Sequence, residues 1–260
     1  MGFGDDVITT GIVKRAFAKV GKPLAVGDGT AIRWSEVFDG NPKIAREVYP
    51  GCLWVNQVKG NRPYLDYTAT NQKVKQTYNY SYRVEPGEIF LSDSEKGKYA
   101  HLSGFVYIEP NVKGSYAGNK DWGFDNWQRV VDAIPDVRFM QGIGKRLRRV
   151  DQFETDSFRD AARMLSHAAL FVGTDGGLHH AAAALGIRGV VVWGGLAPPE
   201  VLGYATHINL SAGGKACGMQ SKCEHCRKAM AAIKPEMVIE SIRNALDTDA
   251  RQTGALQNCV

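Results

Sequence analysis

Residues 172–196 read Val-Gly-Thr-Asp-Gly-Gly-Leu-His-His-Ala-Ala-Ala-Ala-Leu-Gly-Ile-Arg-Gly-Val-Val-Val-Trp-Gly-Gly-Leu. An apolar strand, a glycine turn, an alanine-rich helix and a second apolar strand follow one another with almost no connecting chain. That order confines the segment to a β-α-β unit of a parallel sheet. Gly176 and Gly177 admit backbone angles closed to other residues, and the helix predicted over 178–185 offers free N–H groups and a positive dipole end. The setting suits a phosphate. Tight strand-to-helix turns also occur without any ligand, so the turn alone leaves both readings open.

The same alternation runs through the second half of the chain. Strands are predicted over 104–110, 137–142, 169–173 and 190–194, and helices over 125–133, 156–166 and 235–246, the last opened by Pro235. Short β-α-β units of this kind give a parallel sheet with ligands at the carboxyl ends of its strands. The first half is less regular. Val7, Ile8, Ile12, Val13, Phe17 and Val20 have helical spacing over 7–20, a short strand suits 23–27, and Gly40-Asn41-Pro42 is turn chemistry. From 63 to 83 the chain is polar and aromatic, and reads as loops or short strands. Within it Tyr78, Tyr80 and Tyr82 alternate as a half-buried strand does, or form a wall for a flat acceptor. Ser92-Asp93-Ser94-Glu95 opens a short helix, and 97–103 is the expected link between domains.

Composition narrows the class further. A chain of 260 residues that is 44% hydrophobic buries one large core or two smaller ones. No stretch approaches a membrane span or a signal-peptide core, so a soluble cytoplasmic protein is expected. Five cysteines argue against a disulfide framework, and the net charge of +5 permits a polyanionic partner without requiring one.

Asp175-Gly176-Gly177-Leu178-His179-His180-Ala181-Ala182-Ala183-Ala184-Leu185-Gly186 resembles the Asp-Thr-Gly-Leu-x-His-Leu-Ala-Ala-Ala-Leu-Gly stretch of the heptosyltransferase-like glycosyltransferases of family 9. Two more segments match in the right order. Lys120-Asp121-Trp122-Gly123-Phe124-Asp125-Asn126-Trp127 resembles the family's Lys-x-Trp-Pro-x-x-x-Trp, and Gly4-Asp5-Asp6-Val7-Ile8-Thr9-Thr10 resembles its N-terminal Gly-Asp-Val-Val-Leu-Thr-Thr. A third, 34–44, is similar to a family segment ending in a Gly-Asn-Pro turn. The resemblance implies an α/β protein of GT-B type, two Rossmann-like domains facing a cleft, with the N-terminal domain shortened. The expected division is 1–100 on the acceptor side, 101–246 binding a nucleotide sugar, and a tail over 247–260. In the family the Gly-Asp turn follows a buried strand, so either that first strand is missing here or the start lies upstream of Met1.

The resemblance further implies an inverting transfer from a nucleotide-diphosphate sugar to an acceptor hydroxyl. Sugar transfer needs a base, positive charge or N–H donors for the departing diphosphate, and a cleft. Asp5 takes the family's catalytic-base position, and Asp6 is expected to cap the helix. Lys120 is the expected diphosphate contact, with Asp175, Gly176, Gly177 and Leu178 forming the opposing turn and His180 adding a donor. His179 replaces the small residue common in the family, and its role is open. Gly142, in the glycine-rich loop before Lys145-Arg146-Leu147-Arg148-Arg149, is expected near the donor, with no acidic match for the ribose in that loop.

No catalytic metal is expected. Cys217, Cys223 and Cys226 have spacing compatible with structural zinc, but a fourth ligand is not identifiable from the sequence, and His225 looks poorly placed between the paired cysteines. A saccharide is the expected acceptor. Transfer to hydroxymethylated bases of DNA is the alternative, motivated by the basic run at 145–149 and the tyrosines. A nucleotide-sugar epimerase and a non-catalytic nucleotide-binding relative are further alternatives.

Overall fold

The computed structural model describes residues 2–57, 61–71, 74–113 and 118–257, with side chains described to residue 247. Met1 and the last three residues of the expected tail lie outside it. The first half comprises α1 (Phe3–Val20), β1 (Leu24–Gly27), a 3-10 turn (Glu36–Phe38), β2 (Leu53–Asn56) and α2 (Asp93–Gly97). The second half runs β3 (Phe105–Glu109), a 3-10 turn (Gly118–Lys120), α3 (Phe124–Ala133), β4 (Phe139–Gln141), β5 (Val150–Gln152), α4 (Phe158–Leu165), β6 (Ala168–Thr174) and α5 (Gly177–Ala184). It closes with β7 (Gly189–Trp193), α6 (Pro199–Leu202), β8 (His207–Ser211), α7 (Glu224–Ala232) and α8 (Pro235–Gln257).

The second half builds a six-stranded parallel sheet in the order β5-β4-β3-β6-β7-β8. That is the doubly wound order, in which the chain reverses direction across the sheet between β3 and β6 and leaves a crevice at their carboxyl ends. Alternate strand residues serve opposite faces. Val106, Ile108, Leu170, Val172, Val190 and Val192 pack with α3 and α8 through Trp127, Val130, Val131 and Ile242. Phe105, Tyr107, Phe171, Val191 and Trp193 form the other face with Met164, Ala181 and Ala182 from α4 and α5. Burial of these strands on both faces explains their near-continuous apolar runs.

β1 and β2 form a separate two-stranded parallel sheet, with Leu24 opposite Leu53 and Gly27 opposite Asn56. α1 lies across it, burying Val7 and Val13 beside Leu24, Val26 and Phe38. The same helix packs on α5, where a Cβ on Gly4 would stand 2.9 Å from the His180 ring and 3.4 Å from Gly177 Cα. Arg159 of α4 also bridges the halves, donating to Glu95 at 2.7 Å and to the Phe90 carbonyl at 2.5 Å.

Several expectations change. α1 starts at Phe3 rather than 7, so Asp5 sits inside its first turn, where it accepts the Gly2 N–H at 3.3 Å. Asp6 is therefore not a cap. The Tyr78–Tyr82 alternation makes no strand, because Asn79 takes the Ser81 N–H on its side chain and the Tyr82 N–H on its carbonyl, and this bends the chain. Tyr78 keeps an isolated bridge to Leu65. β2, β5, β8, α6 and α7 add to the predicted elements, and α8 continues through 247 to Gln257.

Candidate active site

Two cavities meet where α1 faces α5. The larger, of about 800 Å³, opens at the carboxyl ends of β3 and β6, between Glu109, Asn111 and Lys113 on one side and Arg33 and Trp34 on the other. The smaller, of about 270 Å³, is lined by Asp5, Arg62, Tyr64, Gln76, Tyr78 and Gln220. Gly4, Lys120, Asp175, Gly176 and Gly177 border both and form the neck between them.

Asp175 follows β6, just before the N-terminus of α5. It is almost fully buried, yet its carboxylate is ion-paired to the Lys120 ammonium, which a 3-10 turn delivers from the β3–α3 connection. Burial alone would raise the Asp175 pKa. Lys120 together with His179 and His180 overrides that and holds the carboxyl far below its ordinary range. Leu178 borders the larger cavity and His180 the smaller. His180 Nδ1 lies 2.9 Å from the Tyr204 hydroxyl, and burial pushes its pKa down to about 3.

On the α1 side, Asp5 holds three partners. Tyr64 donates its hydroxyl to Oδ1 at 2.6 Å, while Arg62 Nε reaches Oδ2 at 3.2 Å and the Gly2 N–H shares that oxygen. Burial raises the Tyr64 pKa well above its usual value, and the Asp5 charge adds to this, so the phenol stays a donor. Asp6 points the other way. Only 2% exposed, it pairs with Arg33 at 2.7 Å and accepts from Ser35 at 2.7 Å and Gln57 at 3.2 Å, pinning α1 to the β1–β2 layer.

Lys120, Asp175, Gly176, Gly177, Leu178, His180 and Asp5 thus gather around one neck. Gly142 stands apart: it borders neither cavity and backs onto the Tyr107 hydroxyl, which an added Cβ would meet at 2.9 Å. The basic run after it is engaged locally, with Lys145 over the Phe124 ring at 4.0 Å, Arg146 on the Val150 carbonyl and Arg148 paired to Asp132. Sequence reasoning missed Arg62, Tyr64 and Glu109. Glu109, at the end of β3, is pushed up to about 7 by burial, against the opposing pull of Asn111.

Near the neck, the Cys217 Sγ lies 3.7 Å from that of Cys223 and 3.2 Å from that of Cys226. A ring nitrogen of His225 falls within 4.8 Å of both Cys217 and Cys226. His225 folds back over Gly195, where a Cβ would come within 2.4 Å of the ring. It is therefore better placed than its position between two cysteines suggests.

A doubly wound sheet with a glycine turn at its switch point, opposed across a cleft by a second α/β layer, defines the GT-B class of glycosyltransferase fold. Within the sheet half, residues 155–235 match the sequence model of glycosyltransferase family 9 (heptosyltransferase). Its fold is similar to that of the iron-containing dodecameric glycosyltransferase TibC from enterotoxigenic E. coli, with TM-score 0.63 and 13% identity over 95% of this chain and 74% of that one. It is equally similar to a family 9 glycosyltransferase from Veillonella parvula, with TM-score 0.63 and 12% identity over 95% and 94% of the two chains. Against E. coli ADP-heptose lps heptosyltransferase II the TM-score is 0.48 at 16% identity, and 63% of this chain spans 54% of that protein, about half its length. A search of curated proteins finds no sequence relative. Among the described residues no helix is long and apolar enough to cross a membrane.

Proposed function

We propose that the protein transfers a sugar from a nucleotide-diphosphate sugar to a saccharide hydroxyl with inversion at the anomeric carbon. The observation that carries this reading is the shared neck: Asp5 borders the smaller cavity where Lys120, Asp175 and the Gly176–Gly177 turn border both. The nucleotide occupies the larger cavity at the switch point, with its diphosphate against Lys120 and the amino end of α5. The acceptor fills the smaller cavity. Asp5 takes the proton from the attacking hydroxyl, the oxygen bonds to the anomeric carbon from the Asp5 side, and the glycosyl–phosphate bond breaks toward Lys120. One displacement of this kind inverts the centre. Residues 1–100 then serve the acceptor and 101–246 the donor.

A saccharide fits better than DNA, because Tyr64 and Tyr78 are buried and the arginines and lysine of the basic run already hold partners. The Cys217, Cys223, Cys226 and His225 donors suit a structural zinc or iron ion, and TibC, similar in fold, is iron-containing. Such an ion would stiffen the loop that carries Gln220, without taking part in transfer.

The test is a thermal-shift panel against UDP, ADP, GDP, CDP and dTDP, because a ligand bound only by the folded state raises its melting temperature. A clear shift with one of them supports the reading and names the donor class. No shift with any sinks it. Asp5→Asn then separates chemistry from binding: turnover is lost while the nucleotide shift persists.

A further inference from the structure

His179 is fully buried, and neither of its ring nitrogens has a hydrogen-bond partner among the described residues. A buried imidazole with both nitrogens idle loses its hydration without compensation, so its surroundings call for an explanation. Its Nδ1 stands 3.7 Å from Asp175 Oδ1, and His180 Nε2 stands 3.7 Å from the same oxygen. All three donor atoms lie within 4.8 Å of one another. When His180 donates Nδ1–H to Tyr204 its Nε2 carries a lone pair, and with His179 protonated on Nε2 three acceptor atoms then lie together.

The geometry points to a divalent metal site formed by Asp175, His179 and His180 at the neck between the two cavities. The in-plane point equidistant from atoms so spaced lies about 1.9–2.4 Å from each, a range that includes the bond length of imidazole and carboxylate ligands to first-row metals. Two imidazoles with one carboxylate favour zinc, iron, cobalt or manganese over calcium or magnesium. Lys120 engages the other Asp175 oxygen, Oδ2, which leaves Oδ1 for the ion. The Tyr204 hydroxyl orients the His180 ring, the outer-shell contact that ligating histidines usually have. Asp175 and His179 border the larger cavity, and Asp175 and His180 the smaller, so the ion's open positions face the neck. On the proposed function, on which this part of the inference rests, diphosphate oxygens of the donor complete the ligand set.

Cobalt(II) titration of chelator-stripped protein tests the site. In a Cys217→Ser, Cys223→Ser, Cys226→Ser background, one equivalent binds with weak visible bands and no thiolate-to-cobalt absorption. His179→Leu or Asp175→Asn weakens that binding by about 10-fold or more. No cobalt uptake in the triple-serine protein, or equal uptake by folded His179→Leu, overturns the site. Should the triple-serine protein fail to fold, crystals of unsubstituted protein soaked in cobalt give the same answer: an anomalous peak between Asp175 and His179 supports the site, and its absence overturns it. ADP binding is measured in parallel with and without cobalt. Cobalt uptake with no affinity for ADP or the other four diphosphates of the thermal-shift panel refutes the transferase reading and leaves the site standing; nucleotide binding with no cobalt uptake does the reverse.

Discussion

The Tyr64 hydroxyl donates to Asp5 Oδ1 at 2.6 Å, across 59 residues of sequence, from a loop that otherwise has little regular structure. Together with Arg62 on Oδ2 it fixes the orientation of the carboxylate at the neck. A hydrogen bond to a charged group contributes about 1.5–3 kcal/mol, so if Asp5 is the base proposed above, its loss corresponds to about 10-fold or more in rate. Tyr64→Phe is therefore expected to lower kcat by about 10-fold with donor KM unchanged. Asp5→Asn lowers it by about 100-fold or more. Steady-state kinetics checks both, and equal kcat in Tyr64→Phe and the unsubstituted protein removes the positioning role.

The Lys120–Asp175 pair gives a second expectation. Asp175 is 6% exposed and Lys120 24%, so Lys120→Met leaves a buried carboxylate without its counter-charge. A fall in stability of about 1–3 kcal/mol follows, with weaker nucleotide binding. Lys120→Met with Asp175→Asn regains the stability but not the affinity. Urea melts and nucleotide titrations on both proteins read the two effects apart.

Glu109 makes stability depend on pH. Its ordinary value of 4.5 is raised to about 7 in the folded chain, so the folded state holds its proton where the unfolded state has lost it. Stability is fully present below 4.5 and declines as pH rises to 7. Glu109→Gln mimics the protonated acid. The melting temperature of the variant minus that of the unsubstituted protein therefore grows between about pH 4.5 and pH 8; a difference flat across that range contradicts the buried-acid assignment.

The cysteine cluster predicts a metal-dependent fold at the loop after β8. Cys217 touches both other thiols, and its N–H reaches the Gly195 carbonyl. The next residues bond the first half, Gln76 N–H to the Gly218 carbonyl and Gln220 N–H to that of Val74. Chelation should lower the melting temperature by several degrees, and Cys217→Ser should reduce the effect by the share that the cysteine cluster supplies. Elemental analysis of both proteins, with differential scanning calorimetry, decides it.

The sheet half was legible because its signals are local. The valine-rich run of β7 and the glycine turn before α5 each announce themselves within ten residues, and Ser157 and Ser92 cap the helices they introduce. β2 escaped notice because Leu53 and Asn56 are exposed and its four residues carry no period. The environment of Asp5 was illegible for another reason: Arg62 and Tyr64 lie 57 and 59 residues away, and only the completed fold brings them together. His225 was misjudged because helical geometry at the start of α7, rather than spacing, decides where its ring points.

At the neck, Gly4 and Gly177 meet backbone to backbone, with no side chain between them to slide or compress. A side chain at either position would act as a wedge, because an added Cβ meets the His180 ring at 2.9 Å from Gly4 and the Phe158 ring at 2.9 Å from Gly177, so the wall the two cavities share depends on both residues being glycine.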